Sequence, residues 1–172
     1  MTCPAKDSAL ARDLMSRPVR RLTSRTPVRN AAAFLARHAI NGAPVEDDHG
    51  RWIGVFSMSD LARAVASEFS SPPAERSLEV REPVSPDAPL TLEMLSSLQV
   101  VDVMTPGMVT VFPDSSVEEV LRSLLNFKVH RVFVIEAESG SLEGVITTMD
   151  VLRWLENVRE RATTVRGAPG DP

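Results

Sequence analysis

An internal repeat constrains the fold of this chain more than any other feature. The stretch DLMSRP from Asp13 is similar to DVMTPG from Asp102, and GVFSMSDL from Gly54 is similar to GVITTMDV from Gly144. The first pair of motifs is 89 residues apart and the second pair is 90 apart. One residue inserted in the turn at 138–140 accounts for the difference, so the chain contains two copies of one structural unit.

Each copy has the same predicted order of elements, which is β-α-β-β-α. Helical spacing of apolar residues indicates the helices, and short apolar runs bounded by turn residues indicate the strands. The first copy is expected to have an extended stretch at 19–22, a helix behind Pro27, strands at 43–46 and 52–56, and a helix from Leu61. The second is expected to have an extended stretch at 108–112, a helix from Val117, strands at 132–136 and 142–147, and a helix from Val151.

The predicted fold class is therefore α+β, with two βαββα repeats. A unit of this size buries little apolar surface alone, so the two repeats are expected to pack about a pseudo-twofold axis. We place the first repeat at 8–69 and the second at 97–160. Between them, 70–96 is rich in proline and predicts a linker, with a short helix over 91–99 leading into the second repeat. The tail, 161–172, is expected to be disordered.

Composition excludes several classes of function. The 19 basic and 23 acidic residues give a net charge of -4, which provides no overall attraction for nucleic acid or an anionic membrane surface. No segment reaches the ~20 apolar residues of a membrane span. Cys3 is the single cysteine, which rules out a disulfide framework or a cysteine-based zinc site. We expect a cytoplasmic protein that binds neither nucleic acid nor membrane.

The sharpest chemical motif is a hydroxyl three residues before a carboxylate, at the junction of a strand and a helix. It occurs as Ser57 and Asp60 in the first copy and as Thr147 and Asp150 in the second. A helix N-terminus suits a phosphate, and a nearby carboxylate can accept hydrogen bonds from both hydroxyls of a ribose. The same spacing is also that of a capping box, which stabilises a helix by about 1 kcal/mol without any ligand. A single motif of this kind favours the cap, and its recurrence at the same spacing in both copies narrows that preference.

With these motifs together, each copy resembles a cystathionine-β-synthase-type (CBS) domain. The resemblance in the second copy runs from Asp102-Val-Met-Thr-Pro through Val117 and Glu118 to Gly144-Val-Ile-Thr-Thr-Met-Asp150. In that family two domains form a Bateman module that binds adenosine-containing ligands in its clefts. The resemblance implies that Asp60 and Asp150 hold ribose. It further implies that Ser57 and Thr147 lie near ribose or phosphate and that Thr110 lines the nucleoside slot.

A basic pair, His130-Arg131, is a second candidate because arginine binds phosphate oxygens in a bidentate manner. The pair resembles phosphate-contacting positions in gamma subunits of AMP-activated protein kinase. A solvated turn with a charge at a helix end is an equal alternative. The first copy has Asn41-Gly42 in place of the pair and Arg21 in place of Thr110, so one cleft is expected to be altered or empty.

The predicted function is that of a regulatory module, not an enzyme. It would bind AMP, ADP, ATP or a related adenosine ligand between the repeats, form a homodimer, and signal to an unidentified protein by a change of conformation or dimer geometry. The alternative is a dimerisation or protein-interaction scaffold with empty clefts. A hydrolase or metal-dependent enzyme is disfavoured, because the sequence has no catalytic triad, P-loop or GxGxxG pattern. We expect no required cofactor, no catalytic residue and no metal.

Overall fold

The computed structural model describes residues 9–70 and 97–166. At the ends of the two closing helices, residues 67–70 and 161–166 are described by their backbone only. The fold is mixed α and β, as predicted. Its helices are α1 (Ala11–Leu14), α2 (Val28–Arg37), α3 (Met58–Ser70), α4 (Val100–Val103), α5 (Val117–Asn126) and α6 (Thr148–Arg166). Its strands are β1 (Leu22–Thr23), β2 (Gly42–Glu46), β3 (Trp52–Ser57), β4 (Thr105–Pro106), β5 (Thr110–Val111), β6 (Arg131–Ile135) and β7 (Leu142–Thr147).

The β-α-β-β-α order predicted for both repeats is confirmed, with most boundaries within one or two residues. Helix α6 continues to Arg166, so its last six residues occupy the start of the segment for which a disordered tail was predicted. No glycine or proline interrupts the sequence of α6, and nothing local ends the helix before that point. Of the predicted linker, 70–96, only Ser70 is described, as the last residue of α3. The rest of the linker, with most of the predicted short helix, and residues 167–172 lie outside the described residues.

The chain divides into two compact units. Unit 1 comprises the segment up to Val19 together with the chain from Val109 onward. Its sheet has the order β5-β6-β7, with β5 parallel to β6 and β6 antiparallel to β7. Along β7, Gly144 and Ile146 alternate with less buried residues, as in a strand with one face on a core. The core is apolar and consists of Ala11, Val111, Val120, Leu124, Val132, Val134, Ile146 and Val151.

Unit 2 comprises the chain from Arg20 to Met108. Its sheet has the order β1-β2-β3-β4, in which β1 is parallel to β2 and the other two pairs are antiparallel. Helix α2 buries one apolar stripe, β3 buries alternate residues, and β2 is buried along its first four residues. Its core is also apolar and consists of Leu22, Val28, Ala31, Leu35, Ala43, Val45, Phe56 and Val100.

Each unit contains the short helix that precedes the other repeat in the sequence. Helix α1 belongs to unit 1, where the Ala11 amide donates to the Ser115 carbonyl at 2.8 Å. Helix α4 belongs to unit 2, where the Val100 amide donates to the Thr26 carbonyl at 2.9 Å. The repeats of the sequence and the compact units of the structure therefore differ by an exchange of these segments.

Candidate functional site

The hydroxyl-to-carboxylate motif of unit 1 caps helix α6. Strand β7 ends at Thr147, and its backbone amide donates to Asp150 Oδ2 at 2.8 Å. The Thr147 hydroxyl donates to the same oxygen at 2.6 Å, and the Asp150 amide returns a longer bond of 3.3 Å to that hydroxyl. These contacts form the reciprocal capping box that the spacing allowed. Asp150 is partly exposed, with 12% of its side chain accessible.

The basic pair lies beside this junction. Arg131 is the residue of β6 that pairs with Thr147 on β7, and the carbonyl of His130 accepts a 3.2 Å hydrogen bond from the Thr148 amide. His130 is exposed and Arg131 is half-buried. The structure thus brings His130, Arg131, Thr147 and Asp150 together at one end of the sheet in unit 1.

Thr110 lies on β5, which flanks β6 on the side opposite β7. It begins β5, is exposed, and pairs with Phe133, two residues after Arg131 on β6. Thr110 also lines a surface cavity of about 430 Å³ between β5 and α5 that reaches Phe112 and Phe127. None of the other predicted site residues lines that cavity.

At the equivalent junction of unit 2, the aspartate accepts more hydrogen bonds and is more deeply buried. The amide and hydroxyl of Ser57 donate to Asp60 Oδ2 at 2.7 and 2.6 Å. Thr105 Oγ1 and Arg63 Nη2 donate to Asp60 Oδ1 at 2.7 and 2.8 Å. Asp60 itself is buried, with 1% of its surface accessible. Four donors therefore surround a carboxylate that is withdrawn from solvent.

These contacts set the ionisation of Asp60. Burial is the largest influence and raises the pKa of the carboxyl group, because it disfavours the charged form. Hydrogen bonds from Ser57, Thr105 and Arg63 to the carboxylate together outweigh burial, and the pKa lies below its usual value. Asp60 is therefore a stable buried anion.

The departures of the first copy from the second are visible around the Asp60 junction. Gly42 is the residue of β2 that pairs with Ser57, so the position of Arg131 has no side chain in unit 2. Arg21, in the place of Thr110, forms a 3.3 Å ion pair with Glu46. The guanidinium of Arg131 and the hydroxyl of Thr110 therefore have no counterparts at the equivalent positions of unit 2.

Sequence reasoning missed three residues that contact the carboxylates. Arg63 and Arg153 each follow their aspartate by three residues on the same helix, and Arg153 Nη1 donates to Asp150 Oδ1 at 3.2 Å. The repeated Asp-x-x-Arg spacing was a readable signal for both, because side chains three residues apart share a helix face. Thr105 carried no such signal, since it reaches Asp60 only through the exchange of segments.

Residues 9–70 and 97–166 contain neither a metal-binding cluster nor a membrane-spanning helix. Within these ranges no three His, Cys, Asp or Glu side chains are grouped in a way that could hold a metal ion. None of the helices described there combines the length and the apolar character needed to cross a bilayer.

Solved structures share this fold. The CBS domain pair of protein MJ0100, in complex with 5'-methylthioadenosine and S-adenosyl-L-methionine, matches with a TM-score of 0.66 and 21% identity over 87% of this chain and 98% of that one. CBSX2 in complex with AMP matches with a TM-score of 0.64 and 24% identity, again over 87% and 98% of the two chains.

Curated relatives are similar over most of the chain. The chloroplastic CBS domain-containing protein CBSX2 of Arabidopsis thaliana is 30% identical over 74% of this chain and 55% of its own length. An L-aspartate semialdehyde sulfurtransferase of Methanocaldococcus jannaschii is 24% identical over 84% of this chain, which spans only 23% of that protein. The uncharacterized protein MJ1426 of the same organism is 23% identical over 85% of this chain and 90% of its own.

A protein-family model agrees with the repeat seen in the sequence. The model of the CBS domain matches twice, at residues 11–67 and at residues 100–157. Together the two matches cover more than half of the chain, each including one hydroxyl-to-aspartate junction. The chain belongs to the CBS domain family and carries a pair of these domains.

Proposed function

We propose that this chain is a regulatory module that binds an adenosine-containing ligand at the Thr147–Asp150 junction of unit 1. One observation carries the proposal. In the described part of the chain, Asp150 Oδ1 accepts only the 3.2 Å bond from Arg153, while Thr147 occupies Oδ2. A carboxylate has about four acceptor positions, so Asp150 retains one for an incoming donor. Its partial exposure leaves that position accessible.

The surrounding residues favour a nucleoside with an anionic substituent. Ribose has two adjacent hydroxyls, and Asp150 accepts a hydrogen bond from one of them directly and from the other when Arg153 shifts. His130 and Arg131 lie beside the N-terminus of the 19-residue helix α6, where cations and helix amides attract phosphate. Thr110, on the neighbouring strand β5, contacts the nucleoside. Adenosine is the part common to AMP, 5'-methylthioadenosine and S-adenosyl-L-methionine, the ligands of the two similar structures.

The module acts by binding rather than by catalysis. Its ligand favours one conformation by differential affinity, and a partner protein recognises that conformation. The sulfurtransferase to which the chain is similar extends well beyond the matched region, so its activity gives no support for an enzyme here. A cytoplasmic location belongs to the same proposal.

The partner in assembly is a second copy of the chain. Helix α6 exposes Met149, Leu152 and Leu155, with 54%, 54% and 45% of their surfaces accessible. Residues spaced by three lie on one helix face, so the three side chains form an apolar stripe. We call this the α6 stripe. Burial of the α6 stripe against its copy would remove the exposed apolar surface from water.

A panel of adenosine ligands tests the binding proposal. The full chain is melted with AMP, ADP, ATP, 5'-methylthioadenosine and S-adenosyl-L-methionine. A ligand at 100 times its Kd stabilises the folded state by about 2.7 kcal/mol, which is a readily measured rise in Tm. Asp150→Asn removes the charge and one strong acceptor and should weaken binding at least tenfold, as measured by calorimetric titration.

Asp102→Asn is the matched control. Asp102 is the third residue of α4 and also caps its helix, by accepting a hydrogen bond from the Gln99 amide at 2.9 Å. This variant should bind as the wild type does. No change in Tm with any of the five ligands would reject the proposal and favour the alternative, a ligand-free interaction scaffold. Unchanged affinity in Asp150→Asn would show that the carboxylate only caps α6.

A further inference from the structure

The two equivalent aspartates differ in how many acceptor positions are occupied. Asp60 receives four hydrogen bonds, two on each oxygen, all between 2.6 and 2.8 Å. Asp150 receives three, of which the one on Oδ1 is the longest at 3.2 Å. Because a carboxylate offers about four acceptor positions, Asp60 is saturated and Asp150 is not.

The additional donor in unit 2 is Thr105. Its side chain reaches Asp60 from β4, which pairs with β3 through Thr105 and Val55. In unit 1 the equivalent residue is Ser16, whose backbone pairs with Val145 in the same way. Within the described residues, Asp150 receives no hydrogen bond from Ser16. The same backbone arrangement therefore supplies a fourth hydrogen-bond donor to Asp60 and none to Asp150.

Binding of a ribose at Asp60 would be energetically unfavourable. A ligand would have to displace Thr105 or Arg63 and enter a position where 1% of the aspartate surface is accessible. Each displaced donor would lose a charge-assisted hydrogen bond, which is among the stronger kinds in proteins. The absence of a side chain at Gly42 leaves no cation at the position that Arg131 has in unit 1, so phosphate would gain nothing there in return.

We propose that Asp60 is a structural lock and that the chain takes up one adenosine ligand, at Asp150 alone. The Asp60 lock consists of Asp60, Ser57, Arg63 and Thr105. It fastens β4, and with it the α4 segment, to the start of α3 inside unit 2. This role replaces the ribose contact predicted for Asp60 and Ser57 from the sequence. The stoichiometry rests on the proposed function, whereas the lock does not.

The lock is tested without ligand by melting four variants of the full chain. Asp60→Asn and Thr105→Val should each lower Tm by about 5 °C or more, because each removes part of a buried network. The double variant should melt close to Asp60→Asn, since the Thr105 contribution depends on the carboxylate. Thr105→Ser retains the hydroxyl and should melt near the wild type. Unchanged Tm in Asp60→Asn and Thr105→Val would overturn the lock.

The single site is tested by calorimetric titration with AMP and, separately, with 5'-methylthioadenosine. One ligand per chain is expected, and Thr105→Val should bind within twofold of the wild type. Two ligands per chain, or a tenfold loss of affinity in Thr105→Val, would overturn the single-site proposal. If neither compound binds, the proposed function fails while the melting experiment still decides the lock.

Discussion

Identical residues at equivalent positions take different roles here because their neighbours differ. Asp60 and Asp150 both stand three residues after a hydroxyl, and both receive hydrogen bonds from that residue. A threonine hydroxyl from β4 then adds a fourth bond to Asp60 and completes its burial. The number of acceptor positions left over decides whether such a carboxylate holds the fold or binds a ligand.

The lowered pKa of Asp60 predicts how stability depends on pH. The ionised carboxylate stabilises the fold fully above its unfolded-state pKa, about 3.9, and this contribution disappears as pH falls through the lower folded-state pKa. Asp60→Asn has no such group to titrate. The difference in the free energy of unfolding between wild type and Asp60→Asn should be largest at neutral pH and shrink below about pH 4. Urea unfolding at several pH values measures it.

Asp102→Asn, at an exposed residue of α4, is the comparison for that series, and its effect at neutral pH should be much smaller. A constant difference between wild type and Asp60→Asn down to pH 3 would contradict the account. It would mean that Asp60 contributes through shape rather than charge.

For single residues, the sequence predicted which side chains lie at the junctions better than it predicted what each of them does. The hydroxyl-to-aspartate spacing identified both junctions, and the pairing of Arg131 with Thr147 does bring the basic pair beside one of them. Spacing alone is the same in a cap, a lock and a ligand site. Thr105, distant in the sequence from Asp60, adds the bond that saturates this carboxylate, and no local pattern predicts such a contact.

At the level of elements, two glycines allow the exchanged segments to lie against the sheets. A Cβ atom at Gly144 would be 2.3 Å from Met15 Sδ, and one at Gly54 would be 2.5 Å from the carbonyl oxygen of Thr105. Both distances are shorter than any van der Waals contact. The segments that carry α1 and α4 can therefore pack against β7 and β3 only because Gly144 and Gly54 have no side chain.

These contacts predict opposite responses to a second substitution. Gly144→Ala and Gly54→Ala should each destabilise the protein by about 1–3 kcal/mol through overpacking. Met15→Ala should relieve part of the first effect, because it removes the Sδ and Cγ atoms in conflict and keeps only Met15 Cβ, 2.7 Å from the new methyl group. Met104→Ala should not relieve the second, because the Thr105 backbone remains. Urea unfolding of the single and double variants gives both coupling energies.

Additive effects in the Gly144 and Met15 pair would contradict the contact.

The order of elements was readable from the sequence because both copies keep the same apolar periods. The exchange was not, because α1 and α4 have similar sequences and either could satisfy the start of either repeat. Their assignment depends on contacts between distant residues, such as the Val100 amide with the Thr26 carbonyl.

For the whole molecule, the duplication has left two units that are alike in fold and unlike in chemistry. Unit 1 has the accessible carboxylate with its basic pair, and unit 2 has the Asp60 lock. Unit 1 also carries the α6 stripe, whereas the positions of Leu152 and Leu155 are occupied in unit 2 by the smaller Ala62 and Val65. The proposed ligand site and the proposed dimer contact both involve helix α6, which would give a direct route for coupling them.

The α6 stripe predicts a homodimer that can be separated into monomers. Light scattering after size exclusion should give the wild type a mass about twice the 18.8 kDa of one chain. Leu152→Glu with Leu155→Glu places two charges in the apolar contact and should give a single-chain mass, because burying an unpaired charge is strongly unfavourable. Val101→Glu, at an exposed apolar residue of α4, should remain dimeric. A wild type that elutes as a monomer at every concentration would exclude the dimer, and a dimeric double variant would move the interface away from α6.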